Sequence, residues 1–140
     1  MSAGPEVTDE EWETLERAAR EVREHAHAPY SGYRVGAALL DAHGGVHRGC
    51  NVENASYGLC LCAERGAVAR AVAEGARRFR ALVVVTGGAR AAAPCGMCRQ
   101  VLAEMPPSFP IRCVSLDGDR FDTSVSELLP HAFDAGYLDE

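Results

Sequence analysis

No apolar run in the sequence approaches the roughly 20 residues that a membrane-spanning helix needs, so no membrane partner is expected. The stretch Met1 to Trp12 is acidic and has no apolar h-region, which argues against a secretory signal and makes a cytoplasmic location the expectation. Internal repeats and low-complexity segments are lacking as well, and the ordinary balance of 47% hydrophobic and 24% charged residues excludes a fibrous or disordered chain. Basic residues are in deficit, 14 against 20 acidic ones, for a formal net charge of -6. Nucleic-acid binding draws much of its affinity from Lys and Arg on phosphates, so a small neutral or cationic ligand is expected rather than a polyanion.

At 140 residues the chain is read as one domain, 1–140, large enough to bury roughly two thirds of its unfolded surface without a disulfide framework. The six cysteines, at 50, 60, 62, 95, 98 and 113, are therefore read as metal ligands or buried thiols.

Thr8 followed by Glu11 has the form of a capping box, and Trp12, Leu15, Ala18, Ala19 and Val22 recur at helical spacing, so a first helix is predicted over Asp9 to His25. Val35 to Leu40 and Val46 to Asn51 read as a hairpin. A second helix is predicted from Cys62 to before Gly75, with Val68, Ala69 and Val72 on its buried side and Gly66 as a weak point. Ala81 to Thr86 is a β-branched run suited to a strand buried on both faces. A third helix over Cys95 to Met105 is stopped by Pro106 and Pro107. Ile111 to Leu116 and Arg120 to Asp122 supply the last strands, and Ser124 to Leu129 a short helix. This order implies helices packed on a central mixed sheet.

The chemistry is concentrated in Cys62-Ala63-Glu64 and Pro94-Cys95-Gly96-Met97-Cys98, the spacing of a zinc-dependent deaminase signature with cysteine in the first ligand position. Three thiolates from Cys62, Cys95 and Cys98 would leave the fourth tetrahedral position open, as in catalytic rather than structural zinc sites. Cys95 and Cys98 fall on one face of a first helical turn, and Glu64 on the first turn of the other helix reaches back toward the metal. Three thiolates on Zn²⁺ leave a charge of -1, which two helix N-termini and Arg65 beside the cluster would offset. Cys60 competes in principle with Cys62, but the Cys-Ala-Glu spacing favours the latter. Cys50 and Cys113 fall in predicted strands as small buried residues. The histidines, at 25, 27, 43, 47 and 131, have no ligand spacing and are assigned to the surface, and the Gly44-Gly45 and Gly87-Gly88 pairs are assigned to turns.

The chain resembles the small homotetrameric cytidine deaminases along nearly its whole length. The resemblance is carried by Ala28-Pro29-Tyr30-Ser31, Val35-Gly36-Ala37-Ala38-Leu39, Gly49-Cys50-Asn51-Val52-Glu53-Asn54-Ala55, Cys62-Ala63-Glu64-Arg65, Pro94 to Val101, and Glu127-Leu128-Leu129-Pro130. It implies a three-layer α/β/α sandwich around a five-stranded mixed sheet, one zinc per chain, and cytidine and 2'-deoxycytidine as substrates in pyrimidine salvage. Asn51 and Glu53 fall on one face of an extended segment, with Val52 turned to the core, and the resemblance makes the pair a ribose site. It also places Tyr33 beside the pyrimidine, where Phe is usual, and Phe133 at a neighbouring subunit's pocket. Further departures are Gly66 for Thr and Met97 for Ala, the latter expected to reshape the metal side of the pocket.

In this reading Glu64 is the general acid/base, and backbone carbonyls near Ala63 and Ser56 accept from the amino group. The rival readings are a deaminase of a cytosine nucleoside antibiotic such as blasticidin S, and a catalytically silent scaffold stapled by zinc.

Overall fold

The computed structural model describes residues 6–139. Its first helix, α1 (Asp9–Arg23), begins at a complete capping box: the Thr8 hydroxyl accepts from the Glu11 N–H at 3.1 Å and the Glu11 carboxylate accepts from the Thr8 N–H at 3.0 Å. The hairpin is β1 (Val35–Asp41) and β2 (Val46–Cys50). There follow α2 (Ala63–Ala73), β3 (Phe79–Thr86), α3 (Gly96–Ala103), β4 (Pro110–Ser115), β5 (Arg120–Ser124) and the single turn α4 (Val125–Leu128). Among the described residues no helix is long and apolar enough to cross a membrane.

The five strands form one sheet in the order β2-β1-β3-β4-β5, in which only β3 and β4 run parallel. Strand β3 lies at its centre and is buried on both faces, as its unbroken Leu82-Val83-Val84-Val85 run requires. Alternation sends Ala81, Val83 and Val85 to one side, where they meet Leu15 and Ala19 of α1. Leu82 and Val84 point to the other side, into a core with Ala67, Ala71, Leu102 and Val125 from α2, α3 and α4. The result is the expected three-layer α/β/α sandwich around a five-stranded mixed sheet.

Two glycines set the distance between layers. A Cβ on Gly36 of β1 would stand 2.0 Å from the Ala19 carbonyl oxygen of α1. One on Gly49 of β2 would stand 2.3 Å from the Ala63 carbonyl oxygen and 2.4 Å from the Ala67 nitrogen of α2. The second contact fixes which face of α2 meets the sheet. Ala63, Ala67 and Ala71, one helical row, are buried, whereas Ala69, expected on the inner side, is exposed.

His47 also departs from the surface assignment. It is only 5% exposed, with Nε2 2.7 Å from Asp41 Oδ2, and Nδ1 at ion-pair distance from Glu74, 3.2 Å, without hydrogen-bond alignment. A histidine is tolerated there because the hairpin and the end of α2 both supply carboxylates. Burial alone would raise the Asp41 pKa, but the His47 hydrogen bond and the N–H groups of Gly45 and His43 hold it below the usual value. Cys113 is buried as expected, and Cys50, at the end of β2, is half-buried.

Candidate active site

Helices α2 and α3 share a feature at their starts. Their N-cap residues are Cys62 and Cys95, both extended in backbone, and neither side chain caps its own helix. The sulfurs point instead toward each other, 4.0 Å apart, and Cys98 on the first turn of α3 completes a cluster in which all three Sγ atoms lie within 4.8 Å of one another. Ligands at the zinc–sulfur distance of about 2.3 Å, arranged tetrahedrally, stand about 3.8 Å apart, so the three thiols fit a single Zn²⁺. The Cys98 thiol and the Arg65 guanidinium pull the Cys62 pKa down to about 5, while the same contact with Cys62 and burial push Cys98 up. A thiolate is thus already favoured within the cluster.

Arg65 Nη2 donates to Cys62 Sγ at 3.5 Å and to the Cys60 carbonyl at 3.3 Å, so its guanidinium lies against the cluster. Cys60 itself is turned away from the cluster, its sulfur accepting from the Asn54 N–H at 3.3 Å. Glu64 is 6% exposed. Its burial, reinforced by the Cys62 thiolate, raises the carboxyl pKa above its ordinary value, against the opposing effects of its own backbone N–H and Arg65.

Cys62, Cys95, Ala63 and Glu64 line a cleft of about 310 Å³, together with Asn51, Glu53 and Tyr33. The cleft lies at the carboxyl end of β3, where Val84 and Thr86 contribute and Val35 of β1 pairs with Thr86. Asn51 is held from both ends: Oδ1 accepts from the Val35 N–H and Nδ2 donates to the Tyr33 carbonyl, each at 2.8 Å. Glu53 Oε1 accepts from the N–H groups of Tyr30 at 2.9 Å and Ser31 at 3.1 Å, and Oε2 accepts from the Ser31 hydroxyl. That hydroxyl, with the two N–H groups, holds the Glu53 carboxyl below its ordinary pKa despite some desolvation.

Several expectations are not met. Val52 does not face the core but is 45% exposed, because Asn51 to Glu53 makes only isolated bridges with His27 and Leu61 beyond the end of β2. Met97 is exposed and does not line the cleft, so it does not reshape it. The Ser56 carbonyl accepts from the Leu59 N–H and lies outside the cleft, leaving Ala63 as the lining residue of that pair. Phe133, expected at a neighbouring subunit's pocket, is a different case: it stands away from the cleft of its own chain, stacks on Tyr137 with centroids 5.5 Å apart, and its carbonyl accepts from Gln100. Thr86 was not singled out by sequence, yet its buried Oγ1 has no hydrogen-bond partner among the described residues. Its place at the end of a β-branched strand before Gly87-Gly88 is the one signal that could have marked it.

Three thiols fitted to one ion, with a buried carboxyl group beside them at the wall of an open cleft, define a zinc-binding hydrolytic deaminase rather than a protein that uses zinc as a staple. The profile described as "Cytidine and deoxycytidylate deaminase zinc-binding region" matches residues 9–111. The chain belongs to the cytidine deaminase family. It is 50% identical over 122 residues to the cytidine deaminase of Halalkalibacterium halodurans, covering 86% of this chain and 92% of that protein. The crystal structure of the cytidine deaminase from Burkholderia pseudomallei superposes with a TM-score of 0.83 at 49% identity, covering 86% of this chain and 98% of that one. The blasticidin-S deaminase of Bacillus cereus is more distant, 27% identical over 106 residues, 70% of this chain and 75% of that protein.

Proposed function

We propose that this protein deaminates cytidine and 2'-deoxycytidine hydrolytically, adding water across the C4–N3 double bond of the base and then breaking the C4–amino bond to give the uridine product and ammonia. The observation that carries the reading is the buried Glu64 carboxyl group on the same cleft that Cys62 and Cys95 of the three-thiol cluster, Asn51 and Glu53 also line.

Cys62, Cys95 and Cys98 would hold the zinc, one ion per chain. When bound, zinc lowers the pKa of a coordinated water toward about 7, supplying a nucleophile at neutral pH. Glu64 takes one proton from the attacking water and delivers it to N3 of the pyrimidine, then takes the second from the new C4 hydroxyl and delivers it to the departing amino group as the C4 carbonyl forms. Burial suits it to both directions, because a pKa raised above the ordinary carboxylate value makes the carboxylate a better proton acceptor and brings its two protonation states closer in free energy at neutral pH. Arg65 balances the thiolate charge, the Ala63 backbone accepts from the amino group, and Tyr33 covers the base. Asn51 and Glu53 take the sugar hydroxyls, the former through the donor and acceptor capacity its two backbone contacts leave over.

We further propose a cytoplasmic role in pyrimidine salvage and a homotetramer in which Phe133 reaches a neighbour's pocket. Support for assembly comes from Val52, Tyr57 and Leu59, large apolar side chains exposed within one segment beside the cleft. A silent scaffold would have no use for a buried carboxyl group at the metal.

Ammonia release measured on cytidine, deoxycytidine, cytosine and blasticidin S tests the reading. Turnover of the two nucleosides well above the other two is expected; preference for blasticidin S, or none of the four consumed by zinc-loaded protein, would overturn it.

A further inference from the structure

Two N–H groups on a single carboxylate oxygen fix the position of that oxygen but leave the group able to pivot about it. In Glu53 both N–H donors, from Tyr30 and Ser31, fall on Oε1. The second oxygen is held by the Ser31 hydroxyl, and that hydroxyl is itself oriented, because it accepts from the Tyr33 N–H at 3.0 Å and so directs its own proton at Oε2. Oε1 therefore has its lone pairs engaged, and Oε2 keeps one acceptor direction for a ligand.

We infer that Ser31 is a positioning residue for nucleoside recognition: its hydroxyl locks the Glu53 carboxylate so that one remaining lone pair of Oε2 meets a ring hydroxyl of the sugar. The inference rests on the sugar-binding role proposed for Glu53. Ser31 touches neither the thiol cluster nor Glu64, so the step it serves is binding. The same loop also carries the Tyr33 carbonyl that orients Asn51, so its removal as a whole would disturb both sugar contacts, whereas loss of the one hydroxyl isolates Glu53.

The test uses zinc-loaded wild type, Ser31→Ala, Ser31→Thr and Glu53→Ala, assayed on cytidine and on 2',3'-dideoxycytidine, which has no ring hydroxyls. Ser31→Ala is expected to raise KM for cytidine about fivefold to thirtyfold with kcat within about twofold, and to leave both constants for the dideoxy substrate near wild type. Ser31→Thr, which keeps the hydroxyl, is expected to restore most of the cytidine KM. Equal changes on both substrates, or no change in cytidine KM, for a Ser31→Ala protein with wild-type zinc content and circular dichroism would overturn the inference. Failure of the alanine rescue by Thr, with the Thr variant folded and zinc-loaded, would also count against it. Glu53→Ala separates the two levels: if it too fails to discriminate between the substrates, the sugar-binding role of Glu53 falls; if it discriminates and Ser31→Ala does not, only the role of Ser31 falls.

Discussion

A carboxylate and its amide differ by little in size but wholly in proton traffic. Glu64→Gln should therefore keep the fold and the zinc while activity falls by at least about 10²- to 10⁴-fold, because Glu53, the other carboxyl group lining the cleft, is held by the Tyr30 and Ser31 N–H groups and the Ser31 hydroxyl. Single-turnover kinetics with zinc content measured in parallel would check this. The cysteines should behave oppositely: Cys62→Ala, Cys95→Ala and Cys98→Ala should each lose the metal, read by elemental analysis of purified protein, with activity following. These residues were legible because their spacings are short and their chemistry is specific, so Cys62-Ala63-Glu64 and Cys95 to Cys98 declare themselves without a structure. Ser31 and Thr86 were not. Ser31 acquires its partner Glu53 from 22 residues away, and Thr86 is distinguished only by an unfilled hydrogen bond at a strand end.

At the level of elements, the closeness of α2 to β2 is the quantity on which the cluster depends. Gly49→Ala would drive a methyl group into the Ala63 and Ala67 backbone, so it should lower stability by about 1 to 3 kcal/mol and weaken zinc retention together, since α2 carries Cys62 at its start. Gly66→Ala should do the reverse: the new Cβ would find its nearest neighbours at 3.7 to 3.8 Å, ordinary contact, and helix propensity should add up to about 1 kcal/mol. Thermal melts of the two variants would show shifts of opposite sign. Helix α1 is tied to β3 by Arg80, whose Nη1 and Nη2 donate to the Glu11 carboxylate at 2.7 and 3.0 Å and hold its pKa near 2 against an ordinary 4.5. A depressed carboxylate contributes stability that is complete above the unfolded pKa and is lost as pH falls through the folded one. The wild-type advantage over Glu11→Gln in urea midpoint should thus be full at pH 6 and shrink between about pH 4.5 and 2. The strands and helices themselves were readable to within two residues at most ends, as the start of α1 at the Thr8 cap illustrates. What misled was the inward turn assigned to Val52, which assumed a sheet continuing past Cys50, and the solvent assigned to His47, whose carboxylate partners come from Asp41 and from Glu74 on α2.

For the molecule as a whole, light scattering should give a mass four times that of the chain, and mixtures of inactive Glu64→Gln with inactive Phe133→Asp protein should recover activity, because a mixed assembly can place an intact Phe133 beside an intact Glu64. A fully active monomer, or no recovery in proven mixed tetramers, would refute that arrangement. Periodicity and residue order sufficed for the layers, since an apolar strand such as Leu82 to Val85 has to be covered on both sides. Assembly left no comparable mark, because an exposed Tyr57 or Leu59 in one chain looks the same in sequence whether solvent or a neighbour covers it. The cleft has one more property that reaches beyond a single molecule. Its thiols and Glu64 hang on the starts of α2 and α3, whereas Tyr33, Asn51 and Glu53 hang on the loop before β1 and the chain leaving β2. Under the proposed division of roles, descendants of such a chain would diverge in diet without relearning the reaction: exchanges within residues 30 to 35 and 51 to 53 would alter which nucleosides are admitted, while the hydrolytic half would be inherited intact.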